Sequence, residues 1–239
     1  MITETFINGT FNLAINCFLP ESQAKKVLIF YSGGAFLDDN RSNFYTFAKD
    51  MVSRDIAVYL PQYRVYRIHN TFPNICISDT VAGLKAVKDI IDKHNIGSDS
   101  IIWGGGSAGA QLVLCAALMK EYSPGYKPEK LILFNPVCCP HTLNKYIYSE
   151  INTTFDFTNL CPLHDSIEAT CPILIMHGTD DEIAPFQDTI LFSEKYRRQG
   201  GKIELIPYNG RKHGFHHPTV SHEDYLSTFN YSVDYILKG

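Results

Sequence analysis

Clusters of basic residues are missing from this chain. Beyond pairs such as Lys25-Lys26 and Arg197-Arg198 there is no Lys/Arg run, and 25 acidic against 21 basic side chains leave a formal charge of −4. That removes the electrostatic case for a nucleic-acid partner. Long apolar runs are missing too, and none approaches the length that crosses a bilayer, so no membrane association is expected. The opening Met-Ile-Thr-Glu-Thr has no basic region followed by an apolar one; no secretory signal is read, and the expected location is the cytoplasm. The seven cysteines include no C-x-x-C pair and are odd in number, which predicts buried free thiols in a reducing compartment. No internal repeat, low-complexity tract or linker interrupts the 239 residues, enough for one domain spanning 1–239 with a sizeable core.

What is present centres on Ser100–Met119. Ile101, Ile102 and Trp103 make a short apolar run that predicts a buried strand. Gly104-Gly105-Gly106-Ser107-Ala108-Gly109 then forms an abrupt corner, after which Leu112, Val113, Ala116, Ala117 and Met119 recur at helical spacing. Gly105–Gly109 fits G-x-S-x-G, the strand–turn–helix elbow that holds a serine hydroxyl above a sheet. The same glycines satisfy G-x-G-x-x-G. A dinucleotide site, however, calls for an acid at the end of the next strand, and Leu131–Phe134 ends in Asn135-Pro136. A phosphate-binding P-loop calls for a lysine that is not there. No cofactor is expected.

Around the elbow the chain alternates strands and helices. An antiparallel hairpin is predicted over residues 3–19, with Thr5–Ile7 and Phe11–Phe18 flanking Asn8-Gly9. Further strands are read at Val27–Tyr31, Ile56–Leu60, Leu131–Phe134, Ile173–Met176 and Ile203–Pro207. Helices are read at Asn43–Arg54, Ser78–Lys93 (capped by Ser78 or Asp79), Pro185–Gln199 and Glu223–Leu237. Residues 62–77 read as an irregular loop, and 136–170 as a small aromatic, weakly periodic insertion. Buried strands alternating with helices predict an α/β fold whose mostly parallel sheet is covered on both faces.

Ligands of such sheets bind at the carboxyl ends of the strands. Those ends deliver Ser32-Gly-Gly-Ala35, then Ser107, then His177-Gly-Thr-Asp-Asp-Glu182, then a loop containing His213. A nucleophile, a carboxylate and an imidazole in the order Ser, Asp, His suit acyl transfer by a covalent route. Asp180 and Glu182 compete with Asp181 for the acid. His216 and His217 compete with His213 for the base, and His213-x-x-His216-His217 has the spacing of a metal-binding loop but no carboxylate or cysteine close by at ligand spacing. The preferred reading is Ser107, Asp181 and His213, with no metal.

At this point the chain resembles the α/β-hydrolase superfamily, and within it the small bacterial esterase/lipase group of acetyl-esterases and hormone-sensitive-lipase-like enzymes. The resemblance runs over nearly the whole sequence. Ser32-Gly-Gly-Ala-Phe36 is similar to that group's His-Gly-Gly-Gly-aromatic turn, and Tyr63-Arg64 with Thr71-Phe-Pro73 and Asp79 to its Tyr-Arg…Phe-Pro…Asp segment. His177-Gly-x-x-Asp181-x-x-Ala-Pro185 and His213-Gly-Phe215 match its remaining motifs. The resemblance implies a serine esterase with an oxyanion hole of backbone N–H groups from Gly34, Ala35 and Ala108. Ser32 departs from the usual histidine. Ala35 replaces a common third glycine, which is harmless if its φ is negative. No large lid is expected. The open site would be walled by Phe36, Tyr63, Phe186 and Phe215, unless these are core residues. Its implied partner is a small-molecule ester, an acetylated carbohydrate or xylan fragment for example. An amide hydrolase (peptidase or arylformamidase) and an inactive binding module of hydrolase ancestry remain as alternatives.

Overall fold

A computed structural model describes residues 1–94, 96 and 100–238. Strands β1 (Ile2–Asn8) and β2 (Phe11–Phe18) form the expected antiparallel hairpin. Then come β3 (Lys26–Tyr31), a 3₁₀ turn over Arg41–Phe44, α1 (Tyr45–Val52) and β4 (Ile56–Pro61). Next are the short α2 (Tyr66–His69), the long α3 (Pro73–Lys93), β5 (Ile101–Gly106) and α4 (Ala108–Leu118). The chain continues through β6 (Leu131–Phe134), α5 (Pro140–Ile151), β7 (Ile173–Gly178), α6 (Phe186–Arg198), β8 (Ile203–Tyr208) and α7 (His222–Leu237).

All eight strands join one sheet in the order β1-β2-β4-β3-β5-β6-β7-β8. β2 pairs antiparallel with β4, and every pair from β4 to β8 is parallel. The two-residue period of the strands sorts their side chains into two cores. Val27, Ile29, Trp103, Leu131, Leu133, Ile173 and Ile175 face α3, α4 and α6. Leu28, Phe30, Ile102, Ile132, Phe134, Leu174 and Met176 face α1 and α7. Every residue of α4 is buried, which explains why its sequence is apolar on all sides.

Two expectations change. α3 begins at Pro73 rather than Ser78, five residues inside the predicted loop. Proline fits the first helical position because its missing N–H has no partner there anyway. Asp79 is therefore no cap. It lies buried in the helix, where it accepts hydrogen bonds from the Arg64 side chain at 2.7 and 2.8 Å, the Arg64 backbone N–H at 2.9 Å and Asn8 Nδ2 at 2.7 Å. This carboxylate ties the hairpin turn, the segment after β4 and α3 together. The second change is that the 136–170 segment contains an ordered helix, α5. No helix among the described residues is long and apolar enough to cross a membrane.

Candidate active site

The β5–α4 corner places Ser107 at φ 52°, ψ −119°, a backbone conformation that costs energy for a residue with a side chain and is held by its surroundings. The hold is visible. Ser107 N–H donates to Phe134 O at 2.9 Å, and its own carbonyl accepts the Gln111 N–H at 3.1 Å. Gly109 lets α4 run against the end of β3, because a Cβ there would collide with the carbonyl oxygens of Tyr31 and Ser32. The hydroxyl thus sits at the N-terminus of α4, whose first N–H groups have no partner within the helix.

The loops after β7 and β8 bring Asp181 and His213 to the same point. His213 Nε2 stands 3.0 Å from Ser107 Oγ, and His213 Nδ1 stands 2.7 Å from Asp181 Oδ2. A carboxylate only accepts, so Nδ1 carries the proton and Nε2 is left to accept from the serine. Asp180 and Glu182 are exposed. Asp181 Oδ1 accepts the N–H groups of Ile183 and Ala184, each at 2.9 Å. Buried His177 completes the shell: its Nε2 lies 3.2 Å from Asp181 Oδ2 and 2.9 Å from Ala184 O, and Thr189 Oγ1 meets its Nδ1 at 2.9 Å. Burial alone would raise the Asp181 carboxyl, but the hydrogen bonds from His177 and His213 outweigh it and hold it well below the usual carboxylate range.

The glycine turn after β3 packs against the serine, and a Cβ placed on Gly33 would lie 3.0 Å from Ser107 Cβ. Ala35 and Phe36 have φ of 53° and 63°. The condition under which alanine would be harmless there is therefore not met: Ala35 occupies a left-handed conformation that a glycine adopts at less cost. Tyr63 braces the turn by donating its hydroxyl to Ser32 O at 3.0 Å.

A cleft of about 180 Å³ opens beside Ser107, with Gly34, Ala35 and His213 at its edge. Its further walls are Phe44, Asn135, Tyr146 and Ile183, and Asp38, Asn40 and Asn43 give it a polar side. The four aromatics expected as walls lie elsewhere. Phe36 is buried against Phe157 of the 136–170 segment, Tyr63 is the brace just described, Phe186 packs on His177, and Phe215 packs on Tyr208. Asn135 and Tyr146 are not among the site residues expected from the sequence. The first had a signal, an Asn-Pro at a strand end; here its Nδ2 lies 3.4 Å from both His213 nitrogens, with φ 34°.

Of the competing histidines, His217 lies on the cleft wall, and His216 is buried with its ring stacked 4.7 Å from that of Phe134 and 5.9 Å from that of Phe44. Neither His216 nitrogen has a hydrogen-bond partner among the described residues. Burial, then the neighbouring His217 and His213, push its pKa well below the ordinary imidazole value; His217 is lowered in the same direction. On unfolding both regain an ordinary pKa of about 6.5, so the unfolded chain takes up more protons as pH falls. Their contribution is complete above about pH 6.5 and is lost below it, at up to about 1.4 kcal/mol per pH unit for each proton. His216→Phe keeps the stacking and is expected to flatten the fall in urea-unfolding stability between pH 7 and pH 5. An unchanged slope would refute this account of His216.

Similarity to known proteins extends over nearly the whole chain. Residues 15–129 match the family described as BD-FAE, and residues 139–239 match the prolyl oligopeptidase family. Among curated proteins, the isoprenylcysteine alpha-carbonyl methylesterase ICME of Arabidopsis thaliana is 26% identical, over 83% of this chain and 53% of its own length. The probable ICME of Oryza sativa subsp. japonica is 24% identical, over 83% of this chain and 54% of its own. The chain spans about half the length of the curated relatives it matches. Among solved structures, Thermogutta terrifontis esterase 2 phosphonylated by sarin superposes with a TM-score of 0.85 at 21% identity, covering 98% of this chain and 94% of that one. The eight-stranded sheet, the serine corner and these matches agree: the chain has the α/β-hydrolase fold.

Proposed function

We propose that this protein is a serine esterase that removes short acyl groups, acetyl above all, from a hydroxyl-rich alcohol such as a sugar or xylan fragment. The observation that carries the reading is the continuous Asp181–His213–Ser107 hydrogen-bond chain at 2.7 and 3.0 Å. In the reaction Ser107 Oγ attacks the ester carbonyl carbon as His213 Nε2 takes its proton, and the Asp181 carboxylate stabilises the resulting imidazolium. Backbone N–H groups of Gly34, Ala35 and Ala108 receive the oxyanion, each such donor being worth about 3–4 kcal/mol. His213 returns the proton to the leaving alcohol, and water, activated by the same imidazole, releases the acid and restores Ser107.

The small cleft supports a short acyl group, and its Asp38, Asn40 and Asn43 side supports a polar alcohol. Thermogutta terrifontis esterase 2, which shares the fold, has been solved with propionate and with butyrate bound. Among p-nitrophenyl esters, kcat/KM is expected to be highest from acetate to butyrate and to fall at least about tenfold by octanoate, since a pocket too small for each added methylene forfeits about 1–3 kcal/mol. Labelling of Ser107 by a phosphonate, read by mass spectrometry, tests the nucleophile directly. A rate that climbs with chain length would overturn the short-acyl reading, and labelling elsewhere would overturn the serine route. Amide hydrolysis is the second reading, favoured by the prolyl oligopeptidase match over the segment that holds Asp181 and His213. Turnover of p-nitroanilides faster than of the matched esters would select it.

A further inference from the structure

The sequence offers no C-x-x-C pair, yet the fold assembles thiols from two distant places. Cys139 sits at the corner leading from β6 into α5, and Cys161 lies further along the same segment. The Sγ atoms of Cys139 and Cys161 and a ring nitrogen of His164 all lie within 4.8 Å of one another. Both cysteines are buried, and His164 is exposed. We infer that Cys139, Cys161 and His164 form a binding site for a thiophilic divalent cation of the zinc class, separate from the serine centre.

The geometry suits the ion. Zinc–sulfur bonds of about 2.3 Å and zinc–nitrogen bonds of about 2.0–2.1 Å in a tetrahedron put neighbouring ligand atoms roughly 3.5–3.8 Å apart. Three donors already inside 4.8 Å reach that spacing by small rotamer adjustments. Two sulfurs and an imidazole select a borderline-soft metal over calcium or magnesium, which prefer oxygen. Cys161-Pro-Leu-His164 sets two ligands three residues apart in one tight turn. His164 N–H and Asp165 N–H donate to Cys161 O at 3.0 and 2.8 Å, and Asp165 Oδ2 accepts the Cys161 N–H at 2.7 Å.

That turn is fixed to the residue just before Cys139 before any ion arrives. Leu163 N–H donates to Cys138 O at 3.1 Å, and Lys195 Nζ holds the carbonyls of Pro162, Leu163 and Asp165. Each cysteine also precedes a proline, which restricts its backbone to extended conformations. Asp188 stands at the edge: Thr142 Oγ1 donates to Cys139 O at 2.6 Å and lies 3.4 Å from Asp188 Oδ2. A nearby carboxylate favours a dication. Exposed His164 gives the ion a path in and leaves a fourth position to water. Occupancy would bolt the 160–165 turn to the start of α5, the helix that supplies Tyr146 to the cleft wall.

The test uses the full-length protein, reduced and stripped of metal by chelation. Cobalt(II) is expected to give thiolate-to-metal charge transfer in the near ultraviolet and the intense visible bands of a tetrahedral site, saturating at a single equivalent and bleached by zinc. Cys161→Ser and His164→Ala are each expected to weaken cobalt binding by at least about tenfold, the scale already seen when outer-shell partners of metal sites are removed. Cys17→Ser, in β2, should leave the titration unchanged. Because His164 is exposed, its alanine variant keeps the comparison valid even if Cys161→Ser folds poorly. Featureless spectra with the wild type would overturn the site, as would spectra unmoved by His164→Ala. So would a Cys139–Cys161 disulfide whose reduction restores no metal binding. None of these outcomes depends on the esterase reading.

Discussion

Replacing Ser107 by alanine is expected to abolish ester hydrolysis, with kcat for p-nitrophenyl acetate falling by roughly 10⁶-fold, the scale seen when a member of an acting Ser–His–Asp set is removed. In barrier terms that is about 8 kcal/mol, far more than any single hydrogen bond in the cleft supplies. The size follows from chemistry. On the proposed mechanism no acyl-enzyme forms without Oγ, which leaves the oxyanion donors and His213 to assist only direct attack by water. Stability should change little, because Ser107 lines the cleft and alanine removes one atom. Circular dichroism together with the rate therefore separates lost chemistry from lost fold. Activity surviving in a well-folded Ser107→Ala variant would remove the serine from the mechanism.

The largest expected loss of stability comes from Asp79→Ala. Asp79 has no exposed side-chain surface, and its partner Arg64 keeps only 13%. Deleting the carboxylate strands the guanidinium and the Arg64 backbone N–H at once, and leaves the Asn8 amide only Ser78 Oγ at 3.1 Å. Breaking one half of a buried ion pair costs about 3–5 kcal/mol, and the water left to Arg64 places this pair near the lower figure. For a chain of this size that lowers the thermal midpoint by roughly 6–12 °C. Combining Asp79→Leu with Arg64→Met should recover much of the loss, because a stranded charge rather than a missing attraction is the main penalty. A midpoint unmoved in Asp79→Ala would show that the pair ties nothing together.

Much of this was legible before any coordinates, and the reason differs from residue to residue. The serine corner announces itself locally, because a glycine-dense turn between a short apolar strand and an apolar helix has few structural solutions. Asp181 and His213 follow from strand ends, since a parallel sheet delivers all its carboxyl ends to one edge. The cleft walls obey no such rule. Whether Phe36 faces substrate or core depends on Phe157, 121 positions further on, which closes over it; no pattern near Phe36 encodes that. Asp79 looked like a helix cap because Asp often is one, and only a distant arginine makes it a buried ion partner. The thiol cluster was hidden for the same reason, as its two cysteines are separated by most of the 136–170 segment.

Ser107 and His213 meet across 106 positions of chain. The imidazole follows β8, the outermost strand, which can dock only on β7. During synthesis Ser107 therefore emerges long before His213, and a ribosome-bound chain lacking β8 cannot form the Ser107–His213 contact. If the serine-esterase reading holds, the nascent protein gains activity only once nearly the whole sheet has closed.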